Sequence, residues 1–195
     1  MLTTTLSFDN LHIYGDLFTT LFRARTESLY IEDRWKFPKA DGLEYDQYDT
    51  PASRWIAVHE NGKVLAGVRL TPTTVRCGVY SYMIRDAQCG LLNSLPSNLL
   101  DYEAPVESYI WEASRVFISS DVSEKRRARV QSMLVAEMTN AARMLGASQI
   151  IGLMPAQWAR WTDYLGLNVE IVGPEIEVDN SLSKVGVLKL ALKMH

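Results

Sequence analysis

With 195 residues, 47% of them hydrophobic and 22% charged, the chain is long enough for a single globular domain over 1–195 with a sizeable core. A net charge of −3 gives no reason to expect a nucleic-acid partner, and the longest apolar stretches, such as VGVLKLAL, are far too short to cross a bilayer. Cys77 and Cys89 fit neither a metal spacing nor a disulfide framework, and the three histidines are scattered, so no metal and a reducing cytoplasm are expected.

The first ten residues, MLTTTLSFDN, lack the basic segment and apolar run of a secretory signal. Residues 10–31 read as one amphipathic helix, because Leu11, Tyr14, Phe18, Leu21, Phe22 and Leu29 recur at steps of three and four. Arg25 falls on that apolar stripe. It is either paired, or lining a cavity, or snorkelling from the edge of the stripe. Residues 33–53 are turn-rich and irregular, and within EYDQYD the acids Asp46 and Asp49 read first as solvated turn formers.

RWIAVHE (54–60), Asn61-Gly62 and KVLAGVRLTP (63–72) predict a β-hairpin, since Asn-Gly supplies the two left-handed residues of a tight turn. Arg69 sits between Val68 and Leu70 in the second strand. YSYMI (80–84) suggests a short strand, and 86–107 short helix and loop. The run 120–146 predicts a long helix with a stripe of Val130, Met133, Leu134, Met138, Ala141, Ala142 and Leu145, ended by Gly146. SQIIGLM (148–154) reads as a buried strand, 156–165 as a helix, LNVEIVG (167–173) as a strand and KVGVLKLALKM (184–194) as another. The alternation predicts an α/β or α+β three-layer sandwich, a mixed central sheet flanked by helices.

The strand SYIWEASRVFI (108–118) holds Glu112 and Arg115 in an apolar run. Residues three apart on a regular strand point to opposite faces, so a β-bulge between them is expected if they share a pocket. Solvated charges on an edge strand are the alternative. Three acids (46, 49, 112) and three arginines (25, 69, 115) would then satisfy one another in a partly buried cluster, a cheaper arrangement than separate unpaired burials.

In this order, Arg25, Trp35, EYDQYD, GVRLTPT, WEASR and later YLGLNVEIVGP resemble the acyl-homoserine-lactone synthases, the LuxI-type autoinducer synthases, over most of the chain. Leu29 and Val116 depart from the family pattern, each standing where an aromatic is usual. The resemblance implies a GNAT-like acyltransferase fold and a reaction in which the amine of S-adenosylmethionine (SAM) takes an acyl group from a thioester. Lactone closure then releases methylthioadenosine. It implies SAM as cosubstrate with no prosthetic group, and an acyl carrier protein or acyl-CoA as donor. A monomer with no nucleic-acid or membrane partner is expected.

On this resemblance Glu112, Arg115, Asp46, Asp49 and Arg69 are the catalytic candidates, with Glu112 either the base for the attacking amine or a scaffold. Arg25, Trp35, Arg115 and Val116 are the SAM-binding candidates: a guanidinium suits the SAM carboxylate, and an indole suits the sulfonium. Backbone N–H groups freed by the bulge would suit the oxyanion. Ala113, Val116 and Met154 are assigned to the acyl pocket, and Met154, where synthases of 3-oxoacyl signals have Thr, implies a chain without a 3-oxo group. Core packing is the simpler reading of Met154. Lys125, Arg126, Arg127 and Arg129 crowd a helix N-terminus, where the dipole disfavours cations. They are candidates for an anionic carrier or phosphopantetheine, or else an ordinary solvated run. A GNAT-like N-acyltransferase acting on another amine, and a non-catalytic relative, are the alternatives.

Overall fold

The computed structural model describes residues 1–30, 39–156, 158, 162, 166–178 and 181–190, and the side chains of all these except 29, 30, 39 and 40. Trp35, the side chain of Leu29, most of the helix expected at 156–165, and the chain beyond 190 lie outside them. The chain forms two compact units, Met1–Leu70 with Arg115–Ala141, and Thr71–Ser114 with Ala142–His195.

The first unit begins with β1 (Leu2–Leu6), a threonine-rich strand not anticipated from sequence. The helix expected over 10–31 is broken into α1 (Leu11–Tyr14) and α2 (Leu17–Tyr30). The break falls at Gly15, whose φ of 54° is left-handed and ends the first turn. β2 (Lys39–Ala40) and β3 (Leu43–Glu44) then pair around Asp41-Gly42, both with positive φ, so part of the segment read as irregular is a tight hairpin.

β4 (Arg54–Glu60) and β5 (Lys63–Pro72) form the predicted hairpin, with Asn61 and Gly62 left-handed in its turn. β1 adds antiparallel to β4. The core of this unit gathers Leu6, Leu21, Phe22, Trp55, Ala57, Val64 and Phe117, with Phe18 packed against it. Gly67 makes room for the last of these, since a Cβ there would stand 2.7 Å from the Phe117 ring. The Trp55 indole meets Phe18 and Phe8 edge-on, at 5.1 and 5.4 Å between centroids.

In the second unit, α3 (Met83–Gln88) replaces the strand suggested for YSYMI; only Tyr80 of that stretch bridges, to Cys77. β6 (Ile110–Ile118) spans the boundary between the two units, passing from the second to the first after Ser114. Its regular course is broken at Arg115, which takes a left-handed φ of 53°. α4 (Glu124–Met144) follows, burying Val130, Leu134, Ala141 and Ala142 of the predicted stripe. Gly146 stands at φ 84° beyond its end.

β7 (Gln149–Pro155) pairs parallel with β6 from Ile110↔Gln149 to Ala113↔Gly152 and antiparallel with β10 (Ser181–Lys189). β8 (Val169–Ile171) and β9 (Ile176–Val178) both pair with β10. Pairing in the second unit is therefore mixed, parallel at β6–β7 and antiparallel between β10 and β7, β8 and β9, as the order of elements predicts.

Candidate active site

The fold brings five of the six predicted charges of the cluster together in the first unit. α2 lays Phe18 and Phe22 on Trp55, and the next stripe position, Arg25, is thereby carried inward until it is 1% exposed. Trp55 and Arg69 are paired across the hairpin, so both side chains leave the same face of the sheet. The 45–49 loop closes over them. Asp46 accepts the Tyr48 N–H at 2.8 Å, and Asp49 accepts the Asp46 N–H at 3.0 Å. The two aspartates do form a turn, as their spacing suggests, but they are buried rather than solvated.

Each guanidinium bridges acids. Arg25 donates through Nη1 and Nη2 to the two oxygens of Asp49 at 3.0 and 2.7 Å, donates to the Glu44 carbonyl at 2.6 Å, and sets Nε 2.6 Å from Glu44 Oε2. Arg69 pairs with Asp46 and, at 2.9 Å, with Asp49. Arg115 reaches Glu44 at 3.0 Å and Asp46 at 2.8 Å. The Trp55 indole N–H donates to Asp49 Oδ1 at 3.0 Å and ties the apolar core to the network.

The network is three acids against three arginines, as expected, but its third acid is Glu44 and not Glu112. Glu44 was visible in the sequence: it opens EYDQYD and stands two residues before Asp46. Its carboxylate is 0% exposed and its N–H is held by Thr26 Oγ1 at 2.8 Å.

The electrostatics follow from this packing. Burial acts to raise the pKa of Asp46, and the charges of Arg69 and Arg115 more than reverse it, so the group lies below the usual carboxylate range. Asp49 is driven lower in the same way, by Arg69 and by its hydrogen bond and charge contact with Arg25. Burial of Arg69 works to release its proton, but Asp46 and Asp49 outweigh it and raise the pKa. All three are ionised at neutral pH. Arg115, at 11% side-chain exposure, is the least buried arginine of the network.

Glu112 belongs to the second unit and has a different setting. Fully buried, it accepts the N–H of Ile84 at 2.8 Å and of Met83 at 3.2 Å, the first two N–H groups of α3. Helix starts leave such groups without intrahelical partners, and a carboxylate there is favoured by the helix dipole. Tyr82 precedes them, its hydroxyl donating to the Pro105 carbonyl at 2.6 Å. Burial and the nearby Glu112 charge push the Tyr82 pKa well up, so it stays a phenol. Asp86 of α3 accepts the Ser81 N–H and hydroxyl.

Of the acyl-pocket candidates, Ala113, Val116 and Met154 are all half-buried. Lys125, Arg126 and Arg129 are exposed on the first turns of α4 and Arg127 is half-buried. Arg126 is engaged by Glu60 at 2.7 Å.

A protein-family model described as autoinducer synthase matches residues 10–191. The chain belongs to that family. It is 26% identical over 180 residues to the isovaleryl-homoserine lactone synthase of Bradyrhizobium diazoefficiens, covering 90% of this chain and 74% of that one. Among solved structures it resembles the CoA-dependent acyl-homoserine lactone synthase BjaI, solved with SAM and isopentyl-CoA, at TM-score 0.75 and 23% identity over 97% of this chain and 83% of that one. It also resembles an acyl-CoA N-acyltransferase from Pseudomonas aeruginosa, at TM-score 0.59 and 16% identity over 97% and 99% of the two chains. The fold is thus the acyltransferase fold expected, and this autoinducer synthase is an acyltransferase. Among the described residues no helix is long and apolar enough to cross a membrane.

Proposed function

We propose that this chain makes an acyl-homoserine lactone from SAM and an acyl thioester, acting as one catalytic domain in the cytoplasm. The amine of SAM attacks the thioester carbonyl, an amide C–N bond forms, and the carrier thiol leaves with a proton. The SAM carboxylate then attacks its own γ-carbon, the C–S bond to sulfur breaks, and methylthioadenosine departs as the lactone closes.

The observation that carries this reading is the self-neutralised network of Arg25, Glu44, Asp46, Asp49, Arg69 and Arg115. An array with no net charge of its own presents fixed dipoles and hydrogen-bonding groups to a cosubstrate that is itself ammonium, sulfonium and carboxylate. Within it we assign Arg25 and Arg69, which are fully buried on acids, to holding the array rigid. Arg115, the most exposed of the three arginines, takes the SAM carboxylate. Glu112 receives the proton of the attacking amine, directly or through a water, with the α3 N–H groups fixing its carboxylate in place. The α4 cations Lys125, Arg127 and Arg129 receive the anionic carrier, a coenzyme A phosphate or the surface of an acyl carrier protein.

The test is to incubate the protein with SAM and a panel of acyl-CoA and acyl-carrier-protein thioesters, and to follow thiol, methylthioadenosine and lactone together. Lactone with stoichiometric methylthioadenosine is expected from at least one donor. Acyl transfer to other amines without methylthioadenosine would replace this reading with that of a general N-acyltransferase.

A further inference from the structure

In the reading above, Glu112 gains and loses a proton in every turnover, yet its seat is two backbone N–H groups at the start of α3, a helix of six residues. So short a helix has little stability of its own. Tyr82, the residue before it, makes no side-chain hydrogen bond to its first turn. The N–H groups of Met83 and Ile84 thus find their partner in Glu112, while Glu112 takes its place from them. A carboxylate accepts such bonds strongly when ionised and more weakly when protonated. Something other than Glu112 has to hold the seat while the proton is on it.

The side chains of α3 and its first turn are anchored separately. Arg85 Nη1 donates to the Ala104 carbonyl at 2.8 Å, Gln88 Nε2 donates to the Tyr102 carbonyl at 2.7 Å, and Gln88 Oε1 accepts the Ala104 N–H at 2.7 Å. These contacts tie side chains of the helix to the segment 102–104, not the backbone that Glu112 grips. Asp86 performs that second task. Its carboxylate folds back over the first turn, with both oxygens 3.0 Å from the Ser81 nitrogen, and Oδ1 accepts the Ser81 hydroxyl at 2.5 Å. The Asp86 N–H donates to the Tyr82 carbonyl at 2.9 Å. Residues 81–86 are thereby closed on themselves, with Met83 and Ile84 inside the closure. Asp86 and Ser81 are each 2% exposed, so water does not compete for these bonds.

We propose that Asp86 is a positioning residue for the reaction: by clasping Ser81 it keeps the Met83 and Ile84 N–H groups aimed at Glu112 whether or not Glu112 carries its proton. This rests on the reading of Glu112 as the base. The clasp is a matter of shape. An amide at 86 serves as well, its oxygen accepting the Ser81 N–H and its NH2 donating to the Ser81 oxygen. A methyl group there leaves the buried Ser81 N–H and hydroxyl without that acceptor and lets the first turn drift.

Lactone formation from SAM and a panel of acyl-CoA and acyl-carrier-protein thioesters is measured across pH, beside amide hydrogen exchange of Met83 and Ile84 by NMR in the full chain. Asp86→Ala is expected to lower kcat about tenfold to a hundredfold, with KM for both substrates within about twofold of the wild type. The acid limb of its kcat profile moves up by about one pH unit, because a carboxylate given weaker hydrogen bonds ionises less readily. Exchange at Met83 and Ile84 quickens by about tenfold or more. Asp86→Asn restores all three.

A normal kcat in Asp86→Ala, a rise in KM alone, or an acid limb that stays in place overturns the proposal. So does an Asp86→Asn variant as impaired as Asp86→Ala, which would assign the effect to charge rather than to the clasp. Should Asp86→Ala fail to fold, Ser81→Ala decides, since it removes the hydroxyl contact alone; unchanged kcat and exchange there overturn the proposal as well. Faster exchange in Asp86→Ala, with no lactone from the wild type or with full activity in Glu112→Gln, upholds the clasp on α3 and overturns the reading of Glu112 as the base.

Discussion

The two units bury carboxylates by opposite means. In the first, Glu44, Asp46 and Asp49 face guanidinium groups, and every acid is shared between at least two partners. In the second, Glu112 and Asp86 face N–H groups at the start of α3. A buried charge met by charges forms a unit that loses its balance when any one member goes. A carboxylate that accepts backbone N–H groups is held by dipoles that stay in place when it is protonated. The first arrangement is suited to holding a fixed field, the second to a group whose charge changes during turnover.

The largest effect is therefore expected in the first unit. Asp49→Ala strips an acid from Arg25 and Arg69 together and leaves the Trp55 indole N–H without its acceptor. Unfolding in urea should show a loss of about 3–5 kcal/mol. A loss below about 1 kcal/mol would show the network to be loose, and with it the preorganised field.

The pH dependence of stability sharpens the same point. Asp46 and Asp49 titrate lower in the fold than the value of about 3.9 they have unfolded. A depressed pKa means that the folded state favours the ionised form, so its contribution is complete above the unfolded value and is lost as the pH falls through the folded ones. Wild-type stability should decline steadily below about pH 4, and the decline should be shallower in Asp49→Asn. Equal slopes in the two proteins would remove Asp49 from this account.

How far these features could be read from the sequence depended on how local their causes are. The β4–β5 hairpin was legible because Asn61-Gly62 fixes its own turn geometry. Arg25, Arg69 and Arg115 were legible because an arginine in an apolar run needs a partner. The identity of the partners was not. Glu44 and Glu112 are both acids near apolar positions, and only the tertiary fold brings Glu44 to Arg25 and Arg115 while giving Glu112 the N–H groups of residues 28 and 29 positions earlier. α3 itself was misread at its start because Tyr82, Met83 and Ile84 look like strand residues. Its N-terminus is held by Glu112, far along the chain, and by Asp86 folding back on Ser81.

Smaller in stability, and larger in activity, is the expected effect of Glu112→Gln. The amide keeps one acceptor for the α3 N–H groups but turns a donor towards the other, which costs about 1–3 kcal/mol for the group left unsatisfied. Turnover should be abolished while SAM binding by calorimetry survives. Full activity in this variant would confine Glu112 to holding α3.

The smallest effect concerns the exposed cations of α4, which separate the two kinds of neutralisation once more. Arg126 already has Glu60 at 2.7 Å, and the Glu60 pKa is lowered chiefly by that hydrogen bond and by one from the N-terminal amine. Lys125 and Arg129 lie exposed on the same turns. A carrier phosphate or acidic carrier surface must compete with Glu60 for Arg126, but meets no such competitor among the described contacts of the other two. Lys125→Gln and Arg129→Gln should each raise KM for the thioester about two- to fivefold with kcat unchanged, as exposed charge contacts do, and added salt should erase the difference. Arg126→Gln should change it less. An effect of Arg126→Gln equal to or above that of the other two would mean that the carrier displaces Glu60 on binding, and would move the anion's seat to the hairpin side of the helix.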